Sequence, residues 1–321
     1  MSARIFIDGE AGTTGLQIRA RLAGRPDLEL LSLPDAARKD RTARAERLND
    51  ADLVVLCLPD EAAREAVSLI ENPGVRVIDA STAHRVAEGW VYGFPELEPG
   101  HDRHITDAKR VANPGCYSTG MIALVRPLVT AGLLPADFPV TVNAVSGYSG
   151  GGRRLIERYE DPGAADRLDL PYWIYGLGLE HKHVEEMRVH GRLAEQPLFL
   201  PSVGRFRQGM IVQVPLQLWA LPGSPSAARI HEALAGAYAG QAFVTVASLE
   251  EAASLERLDP EGLNGTNEMR LFVFGNEKRR QVVLASLLDN LGKGASGAAV
   301  QNLNLMLGLD PAAGLERRAA A

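Results

Sequence analysis

The sequence predicts an α/β chain, a doubly wound parallel sheet followed by an α+β layer. Three observations predict it. Short apolar runs alternate with helix-length stretches through the first third of the chain. A glycine-spaced loop follows the first of those runs. Farther on, apolar strands near 197–203, 209–219, 270–274 and 281–288 surround one helical stretch at 226–239. With 321 residues and 46% hydrophobic content, the chain can bury cores for two domains.

The first run, residues 4–8, carries Ile5, Phe6 and Ile7 into Gly9-Glu10-Ala11-Gly12-Thr13-Thr14-Gly15, after which Leu16, Ile18, Leu22 and Ala23 fall at helical spacing. Strand, glycine loop and helix in that order let a backbone approach a pyrophosphate and lay it on a helix N-terminus. Gly9, Gly12, Thr13, Thr14 and Gly15 are therefore candidate dinucleotide ligands in a Rossmann-type fold. The G-x-x-G-x-x-G spacing departs from the usual fingerprint, so the order of elements carries the argument. Strands follow at 28–33, 53–57 and 75–79, with helices at 36–48 and 61–70. The second strand ends Leu31-Ser32-Leu33-Pro34, without the acid that holds a ribose 2′-hydroxyl, and Arg38, Lys39 and Arg41 follow. This suits a 2′-phosphate and favours NADP(H) over NAD, with Ser32, Arg38 and Lys39 at the phosphate. A solvated helix face is the plainer alternative.

Cys116 lies in Asn113-Pro114-Gly115-Cys116-Tyr117-Ser118-Thr119-Gly120, where proline and glycine break the preceding segment. Met121, Ile122, Leu124, Val125, Leu128 and Val129 then recur at helical spacing, which sets Cys116 at a helix N-terminus. Such a position favours the nucleophilic thiolate; a buried cysteine packing as a small hydrophobe is the alternative. Cys57 shows no comparable setting and reads as a core or passive loop residue. The run Glu180-His181-Lys182-His183-Val184-Glu185-Glu186 supplies imidazoles that can take a thiol proton and carboxylates that can fix a tautomer. Two histidines on a polar helix without a catalytic role remain the alternative. His-x-His can ligate zinc, but no third clustered ligand accompanies it, and no metal is expected. Ser146-Gly147-Tyr148-Ser149-Gly150-Gly151-Gly152-Arg153 follows a strand at 140–145 and opens a polar helix. Its backbone N–H groups and Arg153 suit a phosphate or carboxylate, and a mobile connector shares the same composition. Residues 250–266, rich in charge and glycine, read as a mobile or surface excursion.

Two cysteines build no disulfide framework, and the N-terminus runs into a strand rather than a signal-peptide core, so a cytoplasmic protein is expected. No apolar run approaches the roughly 20 residues that cross a bilayer. A net charge of −6 argues against nucleic acid as a partner, and a small ligand is expected.

Together, Gly9 to Gly15, the Cys116 motif, Ser146 to Arg153, His181 to Glu186, and Asp289-Asn290-Leu291-Gly292-Lys293-Gly294-Ala295-Ser296-Gly297-Ala298-Ala299-Val300-Gln301-Asn302 resemble the N-acetyl-gamma-glutamyl-phosphate reductases, in particular their shorter bacterial branch. The resemblance spans nearly the whole chain. It implies a semialdehyde dehydrogenase-like fold: an NADP-binding domain at 1–115, a catalytic and oligomerisation domain at 116–290, and a C-terminal segment, 291–321, whose helix at about 294–307 returns to the first domain. It implies NADPH-dependent reduction of an acyl phosphate through a Cys116 thioester, in arginine biosynthesis. His181 would be the acid and base, with His183 and Glu186 positioning it or binding substrate. Asn113, Ser146, Gly147, Arg153 and Arg85 would contact substrate, His84 would face its phosphate, Ser81 and Thr82 would line the cofactor, and Asn290 would hold its nicotinamide end. A homodimer or homotetramer is implied, with Trp219 and residues 209–216 at the interface; an ordinary one-sided sheet core is the alternative. Two positions depart from many relatives: Glu185 stands in place of a proline, and Ser118 in place of a small apolar residue. An aspartate-semialdehyde dehydrogenase or another acyl-phosphate reductase is the nearest rival reading, and a non-catalytic NADP-binding protein the rival from another class.

Overall fold

The computed structural model describes residues 2–317; Met1 and residues 318–321, at the outer ends of the expected 1–115 and 291–321 segments, lie outside the described residues. The chain divides into two units. One holds the residues up to Pro95, Gly100–Gly115 and Ala295–Glu316; the other holds Glu96–Pro99 and Cys116–Gly294.

In the first unit, β1 (Ala3–Asp8), β2 (Leu28–Leu31), β3 (Leu53–Leu56), β4 (Arg76–Asp79), β5 (Val91–Tyr92) and β6 (Arg110–Ala112) form a six-stranded sheet in the order β2-β1-β3-β4-β6-β5. Every pairing is parallel. Such sheets are covered on both faces, which is why β3 is a continuous apolar run with every residue buried. Along β1 the side chains alternate: Ile5 and Ile7 enter one core with Ile18, Val55 and Ile78, while Phe6 enters the other with Leu48, Val54 and Val77. Helices α1 (Thr13–Leu22), α2 (Arg41–Asp50), α3 (Asp60–Ser68) and α4 (His101–Asp107) belong to this unit. β1 pairs with β2 on one side and β3 on the other, so the order of strands switches direction between β1 and β3. In open α/β sheets, ligands bind at such a switch point.

Two predicted elements differ. β2 stops at Leu31, leaving Ser32 and Leu33 in the loop. The single helix expected at 36–48 is a 3-10 turn, Asp35–Ala37, followed by α2. The break is local chemistry: the Asp40 carboxylate accepts the Ala43 N–H at 2.8 Å and so starts a new helix. Replacing Asp40 with alanine should cost about 1 kcal/mol of this unit's stability, measured by urea unfolding.

The second unit is built on β7 (Thr141–Gly147), β8 (Tyr172–Ile174), β9 (Leu198–Gly204), β10 (Met210–Gln217), β11 (Val244–Val246), β12 (Met269–Asn276) and β13 (Gln281–Leu288), in the order β11-β12-β13-β10-β7-β9-β8. Parallel and antiparallel pairings mix. Its helices are α5 (Cys116–Thr130), α6 (Gly152–Glu160), α7 (Val184–Gly191), α8 (Ala227–Ala237) and α9 (Leu249–Ser254). From Tyr117 to Arg126 every residue of α5 is buried, as a helix apolar on all sides requires. It packs on β10, β12 and β13 and against α7 and α8. The sheet's other face buries Ile211, Phe272, Ala285 and Leu287 with Leu263. Within 209–216, Val212, Val214 and Leu216 are thus core, Gln213 and Pro215 are exposed, and Trp219 is 55% exposed. Residues 250–266 are anchored at both ends, by α9 with its Ser248 cap and by buried Leu263.

The helix expected at 294–307 begins instead with a π turn, Gly292–Ser296, followed by α10 (Gly297–Met306). Helix α10 packs on α1, α4 and β4, with Val300 and Leu303 in the first unit's core. Among the described residues no helix is long and apolar enough to cross a membrane.

Candidate active site

In the first unit the glycine loop closes over the end of β1. Gly9 has φ +91°, and a Cβ there would strike the Cys57 carbonyl, so only glycine fits. Gly12 caps α1 in extended conformation with no side-chain cap, so no side chain claims the first-turn N–H groups of Thr13 and Thr14. Beneath the loop, Asp8 pairs with Arg44 at 2.9 Å, and burial raises the Asp8 pKa against that cation's pull. Desolvation pushes the Cys57 thiol up to about 12, with Asp79 and Asp8 adding to the effect. This agrees with a passive role for Cys57.

Past β4, buried Asp79 organises the loop. Its carboxylate accepts the Ser81 N–H at 2.9 Å and the Ser81 hydroxyl at 2.7 Å, and lies 2.6 Å from His84 Nδ1. Asp60 holds Thr82 in the same way, through its N–H at 2.9 Å and its hydroxyl. His84 stacks on Trp90 at 4.1 Å, and buried Arg85 donates to the Asn113 carbonyl at 3.1 Å. The Asn113 amide is engaged at both ends, donating to the Ala295 carbonyl at 3.0 Å and accepting from Asn302 at 3.1 Å. Both contacts lie within its own unit.

In the second unit Cys116 opens α5, with Gly294 packed onto it. A Cβ on Gly294 would lie 2.8 Å from the Cys116 Cβ. Tyr117 donates to the Ser202 carbonyl at 3.2 Å, and Tyr175 donates to the Tyr117 oxygen at 3.2 Å. Burial raises both phenols, Tyr175 to about 12, and the Cys116 charge adds to each. His181 meets the same two tyrosines edge-on, at 6.0 Å from Tyr117 and 5.8 Å from Tyr175. The thiol and the imidazole therefore border one aromatic pair.

Both histidines precede α7 rather than lying on a helix; His183 is its N-cap. The His183 N–H donates to His181 Nδ1 at 3.2 Å, which puts the proton of the neutral His181 ring on Nε2. His183 and Glu186 are buried beside it. Glu185, at the proline position of many relatives, is bound by Arg188 at 2.6 Å and by Gln196 at 3.0 Å. These bonds lower its pKa to about 2 and leave α7's first turn intact. Ser118, the other departure, is wholly buried within α5, and its hydroxyl has no hydrogen-bond partner there.

Ser146 is buried and donates to the Gly147 carbonyl at 3.1 Å, whereas Arg153 is exposed on α6. Asn290 accepts the Gly209 N–H at 2.7 Å and donates to Ser149 at 3.0 Å, so both ends of its amide tie loops of its own unit.

Residues 116–290 match the semialdehyde dehydrogenase dimerisation domain, and residues 35–105 the semialdehyde dehydrogenase NAD binding domain. An N-acetyl-gamma-glutamyl-phosphate reductase of Brucella ovis is 61% identical over 309 residues, covering 96% of this chain and 100% of its own; that of Brucella canis gives the same figures. The chain belongs to the N-acetyl-gamma-glutamyl-phosphate reductase family. Aspartate semialdehyde dehydrogenase II of Vibrio cholerae, complexed with ASA, has a TM-score of 0.68 at 13% identity, covering 96% of this chain and 99% of its own. Aspartate semialdehyde dehydrogenase with NADP from Candida albicans has 0.64 at 14%, with the same coverage. At such identities these structures speak for the fold alone, and they agree with the α/β and α+β layers expected. For a member of this reductase family, the 35–105 match makes the first unit a nicotinamide-dinucleotide domain and the 116–290 match gives the second a dimerisation-type sheet. Tyr117, Tyr175, Asp79 and Asp60 escaped the sequence reading. Only the adjacency of Tyr117 to Cys116 offered a signal.

Proposed function

We propose that the chain is an NADPH-dependent enzyme that reduces N-acetyl-L-glutamyl 5-phosphate to N-acetyl-L-glutamate 5-semialdehyde and phosphate, in arginine biosynthesis. The observation that carries this reading is Cys116 at the head of a buried helix, bordering the same tyrosine pair as a tautomer-fixed His181. Identity of 61% to reductases of that name supports the substrate. The Cys116 thiolate attacks the acyl carbon; the bond from that carbon to the phosphate oxygen breaks, phosphate leaves, and a thioester remains on the sulfur. First-turn N–H groups of α5 stabilise the oxyanion, a contribution of about 3 kcal/mol per donor. The bound dinucleotide supplies the hydride that reduces the thioester. His181 takes the Cys116 thiol proton at Nδ1 and, as the imidazolium, gives its Nε2 proton to the hemithioacetal oxygen as it develops; it takes that proton back as the adduct collapses to the aldehyde and the thiolate. Taking up a proton at Nδ1 forfeits the His183 amide bond, a cost of about 1 kcal/mol. Glu186 and His183 position the ring, and Ser146, Gly147 and Arg153 receive the substrate's anionic groups.

The loop over β1, the first turn of α1, and Ser32, Arg38 and Lys39 hold NADP(H). A glycine at φ +91°, an uncapped helix start and nearby guanidinium groups fit a pyrophosphate and a 2′-phosphate. In our assignment residues 1–115 bind the cofactor, 116–290 carry catalysis and self-association, and Ala295–Glu316, with α10, completes the first domain. The enzyme works in the cytoplasm as a homodimer or homotetramer. Association uses the apolar side chains left exposed on β8 and β9, Tyr172, Ile174, Leu198 and Leu200 among them.

The test runs the reaction backwards: NADPH formation from N-acetylglutamate 5-semialdehyde, NADP and phosphate, with aspartate semialdehyde in parallel. Phosphate-dependent activity confined to the acetylated substrate is expected; preference for the aspartate compound would reassign the substrate. His181→Gln should lower kcat by about 10²- to 10⁴-fold while leaving NADP affinity unchanged.

A further inference from the structure

A carboxylate stands where the 2′-phosphate reading wants an anion. Glu10, in the glycine loop, is buried but for 8% of its surface, and its oxygens face cations from two different elements. Arg19 of α1 donates to Glu10 Oε2, and Arg38, just past the 3-10 turn, donates to Oε1 at 3.0 Å. Ser32, the first residue after β2, accepts from Arg19 at 2.7 Å and reaches Glu10 Oε2 at 3.4 Å. Arg38 Nε is covered by protein and has no acceptor. The cluster borders a cleft of about 390 Å³, lined by Gly9, Glu10, Leu33, Arg38, Lys39 and Leu58 among others.

Two guanidinium groups and a hydroxyl around one dianion-sized position are the donor set a phosphate monoester prefers, since bidentate Arg contacts to phosphate are short and strong. A carboxylate satisfies the same donors with about half to two-thirds of the charge. The alternative, that Glu10 holds a ribose 2′-hydroxyl as in NAD-selective folds, fits less well. That acid belongs at the end of β2, where Ser32 stands, and Glu10 is already bound on both oxygens.

We propose that Glu10 is a built-in competitor for the 2′-phosphate site: its carboxylate occupies the Arg19, Arg38 and Ser32 cradle, and a 2′-phosphorylated cofactor must take these partners from it. Glu10 thereby lowers affinity for NADP(H) selectively and hastens its release. The inference rests on the NADP reading. It predicts that the cradle's charge, rather than the glycine loop, sets how tightly the adenosine end is held.

The experiment measures dissociation constants by calorimetry for adenosine 2′,5′-bisphosphate and 5′-AMP, with the full chain and its Glu10→Gln, Glu10→Ala and Arg38→Ala variants, each checked for folding by thermal melting. These probes carry no nicotinamide, so the result is independent of turnover. We expect both Glu10 variants to bind the bisphosphate about tenfold more tightly with 5′-AMP unchanged, and Arg38→Ala to erase the preference for the bisphosphate. If the unaltered chain prefers the bisphosphate but neither Glu10 variant tightens it, the competitor idea is overturned while the NADP reading stands. If the unaltered chain shows no preference for the 2′-phosphate, both fall.

Discussion

Cys116→Ala should lower phosphate-dependent NADPH formation by about 10⁴-fold or more, the scale on which loss of a covalent nucleophile is felt when the rest of the site survives. Folding should be nearly untouched, because the change removes a single sulfur at the first residue of a helix that is otherwise anchored by buried apolar side chains from Met121 to Leu128. The same variant separates the two thiols. Burial pushes Cys57 up to about 12, so at pH 8 only about one molecule in 10⁴ carries its thiolate, and iodoacetamide should leave it alone. The unaltered protein should therefore take up one equivalent of label and lose activity in step, and Cys116→Ala should take up none. Labelling at Cys57, or activity retained in Cys116→Ala, would remove the covalent mechanism. Gly294 sharpens the argument, because a Cβ there would lie 2.8 Å from the Cys116 Cβ, so no side chain fits at that position beside Cys116.

Why the place of Cys116 at a helix start was legible in the sequence, and other parts of the candidate site were not, follows from the range of the forces involved. Cys116 announces itself locally: proline and glycine stop one segment and a helical apolar period starts the next. The strands at 4–8, 53–57, 75–79 and 281–288 were equally plain, because a run buried on one or both faces leaves its mark in consecutive residues. β5, β6, β8 and β11 were missed since two or three residues carry no period. The helix expected at 36–48 failed for a different reason. Its apolar spacing runs through Asp40, and only the carboxylate's choice to bond the Ala43 N–H makes a new start there. In the site, the nearest-neighbour parts, glycine loop and histidine pair, were readable, but their partners were not. Tyr175 reaches Tyr117 from 58 positions away, and the cradle around Glu10 joins residues from α1, the end of β2 and the turn before α2. Asn113 and Asn290 have partners that no local pattern announces: both ends of each amide are held by protein groups distant in sequence.

Lys293→Met should be the most destabilising single change in the second unit. The Lys293 ammonium is wholly buried and donates to both oxygens of Glu96, at 2.8 and 2.7 Å, with Phe243 5.7 Å below it. Glu96 is itself 3% exposed. Burial lowers the Lys293 pKa and the Glu96 charge opposes that shift, so the pair survives because each charge answers the other's desolvation. Removing one partner strands the other, at a cost of about 3–5 kcal/mol, whereas removing both costs much less than the sum. Urea unfolding of Lys293→Met, Glu96→Gln and the double variant gives the coupling directly; additive losses would mean that the two charges are solvated independently. The pair also bears on catalysis. Lys293 precedes Gly294 in the π turn that rests on Cys116, so a folded Lys293→Met should lose kcat more than it raises KM. In Glu96→Gln, burial still depresses Lys293 and the charge that opposed the shift is gone. The unfolded chain then binds a proton that the folded chain resists, and stability should rise with pH until the unfolded lysine itself titrates, near 10.4. A flat profile over that range would show that the lysine reaches water once its partner is gone, and would remove the buried pair as the anchor of the turn beneath the nucleophile.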